Sequence, residues 1–363
     1  MENESSCKLY FSAIDAWESM LADCATAEKT IFLEQYIFYP GGITGRFLDV
    51  FKEKALAGVD VRLLLDAVGS WTLMGNKTLL AELAQAGVQV RWYNKVLPLF
   101  LHRTASYFFR NHRKLLVVDG SIAHVGGLNI SQQMLNWRDT HGRLVGPVVG
   151  SVRSSFLQVW NKSRQSIPHI LSKGKQRFMG INDTYDFLPN SPGPKKRYVY
   201  YKIEQAMRKA QKRIWITVPY FVPNLRLFRS LQKAVRRGVD VRIILPRKSD
   251  LRALDLAAHS YFGMALRSGI QLYTYEPSVL HSKVVICDNA WATFGSMNMD
   301  SMSFNFNLEA NIVTTNSVTV SELVAQFMAD LSLAKSVNYN NWQHRPLLQK
   351  FLELLLWPFH FLL

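Results

Sequence analysis

Residues 112–129 read HRKLLVVDGSIAHVGGLN, and residues 281–298 read HSKVVICDNAWATFGSMN. The likeness extends upstream in the same order. KTIFLEQYIF (29–38) parallels KRIWITVPYF (212–221), GVDVRLLLDAVGS (58–70) parallels GVDVRIILPRKSD (238–250), and AGVQVRWYN (86–94) parallels SGIQLYTYE (268–276). A chain that repeats itself at about half its own length is constrained to build one supersecondary plan twice. The apolar phrases read as short buried strands, while TGRFLDVFKEKAL and LRLFRSLQKAV carry the helical period before each middle strand. Each half is therefore predicted to run strand, helix, strand, helix, strand and then motif strand. That alternation predicts an α/β protein of two similar halves, each a mostly parallel or mixed β-sheet flanked by helices.

The repeat also sets the boundaries. A first half over 1–171, a connector over 172–196 that includes LPNSPGPKK, a second half over 197–335 and an apolar tail over 336–363 are expected. Most of residues 95–111 has no counterpart in the second half, and an insertion beside a motif strand is a place for substrate selection. Residues 83–118 hold no acid but do hold Arg91, Lys95, Arg103, Arg110, Arg113 and Lys114 among VLPLFL and YFF. Basic and aromatic residues mixed in this way suit a phospholipid interface or single-stranded nucleic acid.

With 48% hydrophobic and 19% charged residues the chain is globular, and a net charge of +16 creates a field that attracts anions. Nucleic acid, anionic lipid headgroups and phosphorylated substrates all satisfy that field. Cys7, Cys24 and Cys287 have neither the spacing of a disulfide framework nor that of a metal site, which fits a reducing, cytoplasm-facing location. The opening MENESSCKLY is acidic and polar, so no export signal is read there. No stretch reaches the roughly 20 apolar residues of a spanning helix. The ending PLLQKFLELLLWPFHFLL, interrupted by Lys350, Glu353 and Pro358, suits an in-plane membrane anchor, with a packed terminal helix as the alternative.

Both motif copies obey H-x-K-x-x-x-x-D, then six residues, then G-[GS]-x-N: His112, Lys114, Asp119, Gly126 and Asn129, and His281, Lys283, Asp288, Gly295 and Asn298. Five positions matching by chance is about a one in a few million event per starting point. A strand alternates its faces, so His112 and Lys114 are expected to point together, and burying such a pair without function is costly. Each imidazole needs an acceptor for its second nitrogen, and Asp139 and Glu309 lie about ten residues beyond the two asparagines. Asp119 and Asp288 read as strand-ending residues that bond turn amides. Glu34 is a candidate pocket-lining acid. The lone His102, His124 and His259 read as surface or core residues.

These residues resemble the phospholipase D superfamily, whose signature is the repeated His-Lys-Asp motif with a downstream Asn; the resemblance runs from about Leu9 to about Asp330. Within it, IFLEQYIF, PYFVP, GVDVRIILP and NFNLEANIV resemble bacterial cardiolipin synthases, in particular the short forms without two N-terminal transmembrane helices. The resemblance implies a duplicated phospholipase D-like fold with one active site between its halves. It assigns catalysis to His112, Lys114, Asp119, His281, Lys283 and Asp288, with His112 as nucleophile and His281 as general acid and then base. Asn129, Asn298 and Ser296 are the implied phosphate-binding and supporting residues, and the first copy departs by carrying Gly127 where the second has Ser296. No metal or cofactor is implied. The implied activity is transfer of a phosphatidyl group from phosphatidylglycerol to a second phospholipid alcohol, at the cytoplasmic face of a bacterial inner membrane. Hydrolysis of phospholipids or of nucleic acid is the alternative in the same fold, and a lipid-binding protein that keeps the fold is the non-enzymatic one.

Overall fold

The computed structural model of the chain describes residues 5–95, 109–163, 184–193 and 196–356. The first sheet holds β1 (Ser6–Ser12), β2 (Thr30–Gln35), β3 (Asp60–Asp66), β4 (Gln89–Tyr93), β5 (Leu115–Val118), β6 (Ile122–Gly126) and β7 (Arg138–Val145), in the order β1-β7-β6-β5-β2-β3-β4. The second holds β8 (Tyr185–Asn190), β9 (Arg213–Thr217), β10 (Asp240–Pro246), β11 (Gln271–Tyr275), β12 (Val284–Cys287), β13 (Trp291–Gly295), β14 (Glu309–Thr314) and β15 (Ala334–Ser336), in the order β15-β11-β10-β9-β12-β13-β14-β8. In each, the three repeated apolar phrases pair in parallel, and the motif strand joins antiparallel to the first of them. The predicted helices form over Ile43–Leu56 and Leu225–Arg236.

Strand alternation sorts the side chains into layers. On β5, Leu115 and Val117 enter a core shared by both halves, while Leu116 and Val118 enter the outer core of the first half. The shared core also takes the apolar stripes of helices Val148–Lys162 and Ser317–Ser332, so the two sheets are joined through buried apolar surface. The sheets approach closely at β7, where a Cβ placed on Gly142 would lie 2.7 Å from the Phe294 ring of the other half. Only glycine fits there without moving the sheets apart.

Two expectations need correction. The motif strands begin at Leu115 and Val284, after the histidines and lysines rather than with them. The preceding residues spend their backbone bonds on the other half instead: the His112 amide donates to Leu308 O at 2.9 Å, the Leu308 amide to Arg110 O at 2.9 Å, and the His281 amide to Arg138 O at 2.8 Å. Second, the stretch read as a connector carries β8, which pairs with β14 at the sheet edge. Its Pro189 looked like a break, but an edge strand tolerates a missing donor. Of that stretch, residues 172–183, 194 and 195 lie outside the described residues, as do 96–108 of the basic insertion (with His102 and Arg103) and 357–363 of the tail.

Asp119 and Asp288 sit past the ends of the motif strands at φ 52° and 56°, conformations that aspartate tolerates better than most residues. They bond amides outside their own turns. Asp119 accepts from Glu28, Lys29 and Thr30 at 2.9, 2.7 and 2.8 Å, and Asp288 from Gln211, Lys212 and Arg213 at 2.7, 2.7 and 3.0 Å. Each carboxylate thus clips the end of its motif strand to the start of the neighbouring antiparallel strand, and the amide bonds hold it below the usual carboxylate range although burial opposes them. Asp119→Ala or Asp288→Ala is expected to cost about 1–3 kcal/mol of stability, read by chemical denaturation, with activity tracking the folded fraction. Full stability combined with lost turnover would show that the aspartate acts in the chemistry.

Candidate active site

The two cross-half segments converge on a cavity of about 370 Å³ whose lining includes His112, Asn129, His281 and Asn298. Each histidine is held by a carboxylate from the opposite half. His112 Nδ1 lies 3.0 and 3.1 Å from the two oxygens of Glu309, and His281 Nδ1 lies 2.7 Å from Asp139 Oδ2. With Nδ1 so engaged, Nε2 is the nitrogen left free for chemistry. Glu309 and Asp139 are fixed in turn. Ser296 Oγ donates to Glu309 Oε2 at 2.5 Å, and the Thr140 amide donates to Asp139 Oδ1 at 2.7 Å.

This arrangement explains the departure at Gly127. A Cβ there would fall 2.3 Å from Asp139 Oδ1, so the carboxylate itself occupies the space that Ser296 fills in the second half. Aspartate is one carbon shorter than glutamate, and its carboxylate lies closer to the backbone. Gly with Asp and Ser with Glu are therefore two solutions to one steric problem.

Lys114 and Lys283 are buried beneath the cavity. Lys114 Nζ donates to His112 O at 2.6 Å; Lys283 Nζ donates to His281 O and lies 2.9 Å from His281 Nδ1. Burial lowers the pKa of Lys114, and repulsion from Lys283 lowers it further; burial brings Lys283 down to about 8. Burial also depresses both imidazoles, His112 to about 4, so that near neutral pH the His112 ring is uncharged. Two buried ammonium groups with depressed pKa values are a site that gains charge stabilisation when an anion arrives. Among the described residues no group of three or more acids, cysteines or histidines is placed to hold a metal ion.

Asn129 Oδ1 accepts from the Ile37 amide at 3.2 Å, and the side chains of both asparagines are buried in the cavity wall. Glu34 does not line the cavity. It is fully buried and accepts from Asn111 Nδ2 at 2.8 Å, bracing the residue before His112. Asp66 does similar work by accepting the Asn111 amide at 2.8 Å. His124 is a core residue whose Nε2 meets Asp23 Oδ2 at 2.7 Å, and His259 packs edge-on against Trp342. Sequence reasoning missed Tyr36, Tyr220, Asp250 and Asp300, which line the cavity together with Asn307 and with Arg110, read above only as part of the basic stretch. Tyr36, Tyr220 and Asp250 stood in phrases marked by the repeat. The others lie on loops where the halves diverge.

The family described as cardiolipin synthase, PLD-like domain, matches residues 20–142 and 203–331. A cardiolipin synthase from Geobacillus sp. (strain WCH70) is 35% identical over 92% of this chain and 67% of its own length. One from Alkalihalophilus pseudofirmus is 33% identical over 96% of this chain and 70% of its own. The chain thus spans about two thirds of each. The crystal structure of a phosphatidylserine synthase from Haemophilus influenzae superposes with TM-score 0.76 over 98% of this chain and 95% of that one; at 13% identity this is a likeness of fold. Two matched stretches, each carrying one His-Lys-Asp motif, and relatives aligned over nearly the whole chain show that the protein belongs to the cardiolipin synthase family of PLD-like proteins.

Proposed function

We propose that the chain is a phosphatidyltransferase that makes cardiolipin from phosphatidylglycerol and a second phospholipid alcohol through a phosphatidyl-histidine intermediate. The observation that carries this reading is the crossed pairing: two imidazoles, each aligned by a carboxylate of the other half, open into one cavity above two buried lysines. A phosphodiester repels nucleophiles and releases a poor leaving group, so the site must supply a nucleophile, cations and a proton. His112 Nε2 attacks phosphorus while Lys114, Lys283, Asn129 and Asn298 stabilise charge on the non-bridging oxygens. His281 gives its proton to the departing glycerol oxygen and recovers one from the alcohol that attacks next. The negative charge of the bound phosphate favours the protonated lysines and the imidazolium against the depression caused by burial. Asp119 and Asp288 belong to the motif but act by holding the strands.

Lipid analysis by mass spectrometry, in cells devoid of their own cardiolipin synthases, tests the reading. The wild type is expected to restore cardiolipin, and His112→Ala to abolish it. Phosphatidic acid in place of cardiolipin from the wild type would instead mark a phospholipase.

The pH profile follows from Lys283. Its ammonium is present below about pH 8 and is lost above it, so kcat/KM for phosphatidylglycerol is expected to fall as pH rises through about 8. Lys283→Arg keeps its charge at any working pH and is expected to remove that alkaline limb even though its rate is lower. An unchanged limb in the arginine variant would contradict the assignment.

Membrane contact is proposed to run through the helix Leu347–Leu356. Its polarity is inverted: Glu353 is buried against Arg345, whereas Leu347, Leu348 and Phe351 are 80%, 69% and 61% exposed. Among the described residues no helix is long and apolar enough to cross a membrane; the exposed apolar face of this helix supports an in-plane, peripheral association. Removal of residues 346–363 is expected to release the protein from the membrane pellet; undiminished pelleting would exclude this helix as the anchor.

A further inference from the structure

Because the cavity lies between two copies of one plan, each lining residue has a counterpart in the other half, and the counterparts are chemically unlike. The bridges of Phe38 with Ile130 and of Phe221 with Met299 occupy matching places and set the register. Ile37 then corresponds to Tyr220, Ser131 to Asp300 and Met134 to Ser303. The repeated phrase GVDVR sets Ser70 against Asp250. Of these residues, Ile37 and Met134 line the cavity from the first half, and Tyr220, Asp250, Asp300 and Ser303 line it from the second. At these matched positions the first half places apolar side chains in the cavity and the second half polar and acidic ones, although Tyr36 and Arg110 of the first half and Leu251, Leu254 and Met302 of the second also line it.

Carboxylates beside a phosphate anion repel it, so the acidic wall does not serve the phosphodiester. Carboxylates and a phenol do bind alcohols, since they accept and donate hydrogen bonds to hydroxyl groups. The wall lies on the side of the proton-transferring residue: the charge of Asp250 acts on both His281 and Lys283, and that of Asp300 acts on Lys283. Tyr220 OH donates to Asp250 Oδ1, and Asp300 Oδ1 accepts the Ser303 amide at 2.7 Å. Burial pushes the Asp300 carboxyl up to about 7, so near neutrality it is available both as donor and as acceptor. The side chain of Asn298 hydrogen-bonds Asp300, yet its Oδ1 is buried in the same wall and accepts no hydrogen bond, which is costly for an amide oxygen unless a ligand supplies the donor.

We infer that Tyr220, Asp250, Asp300 and Asn298 form a polyol subsite that holds the vicinal hydroxyls of a glycerol-type headgroup beside His281, first as leaving group and then as acceptor. The inference rests on the phosphatidyl-transfer reading and deepens it. In the second step the primary hydroxyl oxygen bonds phosphorus, the bond from phosphorus to His112 Nε2 breaks, and the hydroxyl proton passes to His281 Nε2. Water has no second hydroxyl with which to engage the wall, so the subsite favours transfer over hydrolysis. The apolar wall of Ile37 and Met134 is left for the lipid side of the phosphate.

The test uses the full chain in detergent micelles of phosphatidylglycerol with deuterated glycerol and 1-propanol as competing acceptors; mass spectrometry reads labelled phosphatidylglycerol against phosphatidylpropanol. The wild type is expected to prefer glycerol. Asp300→Ser, which installs the residue of the first half and keeps a helix-capping hydroxyl, and Tyr220→Phe, which keeps the ring, are each expected to lower the glycerol-to-propanol ratio about tenfold. A ratio within about twofold of wild type in Tyr220→Phe, with phosphatidylpropanol still formed, overturns the subsite. So does loss of both products in that variant, because the phenol would then serve the phosphate chemistry. A wild type that makes phosphatidylpropanol without preferring glycerol sinks the subsite alone, whereas a wild type that makes neither product sinks phosphatidyl transfer and the subsite together.

Discussion

The site depends on an exchange of carboxylates. Glu309 of the second half holds His112 of the first, and Asp139 of the first holds His281 of the second. Each imidazole takes its carboxylate partner from the other half, so neither half carries the complete arrangement. The same exchange runs through the backbone, where residues just ahead of each motif strand bond to the other half, and through the Arg138–Asp330 ion pair at 2.7 Å. The shared apolar core beneath the cavity gives these polar contacts the fixed distances they require. Chemistry and assembly of the halves are therefore one problem.

The buried lysines show the cost of the design. Two ammonium groups under one cavity lose hydration, which depresses the pKa of both, and repulsion from Lys283 depresses that of Lys114 further. An anion between them relieves both penalties, most of all when charge on the phosphoryl oxygens is greatest. Strain of this kind is tolerable only on a rigid frame, and the aspartate clips at Asp119 and Asp288 stiffen that frame away from the chemistry. The third letter of the His-Lys-Asp motif thus bonds the frame, while the first two meet at the cavity.

Duplication supplied two equal halves, and the cavity shows where they parted. The motif histidines, lysines and asparagines stayed paired, while the residues around them changed: Gly127 against Ser296, Ile37 against Tyr220, Ser131 against Asp300. Motif residues are tied to a symmetric phosphate. The surrounding wall is tied to a substrate with a lipid on one side and an alcohol on the other, and so has no reason to remain symmetric.

Residue order alone settled the repeat, the α/β class, the motif residues and the two acids beyond the asparagines, because these are local patterns written in periodicity and spacing. The helical and parallel-strand phrases were legible for the same reason. Which acid serves which histidine was not legible, since Glu309 is 197 residues from His112 and Asp139 is 142 from His281, and only packing brings them together. The placement of Glu34 beneath the site rather than in it, the early end of the motif strands and the edge strand with Pro189 were likewise decided by tertiary pairing. Each turns on where backbone and carboxyl groups find partners across the halves, and in a folded chain those partners are set by space and not by sequence distance.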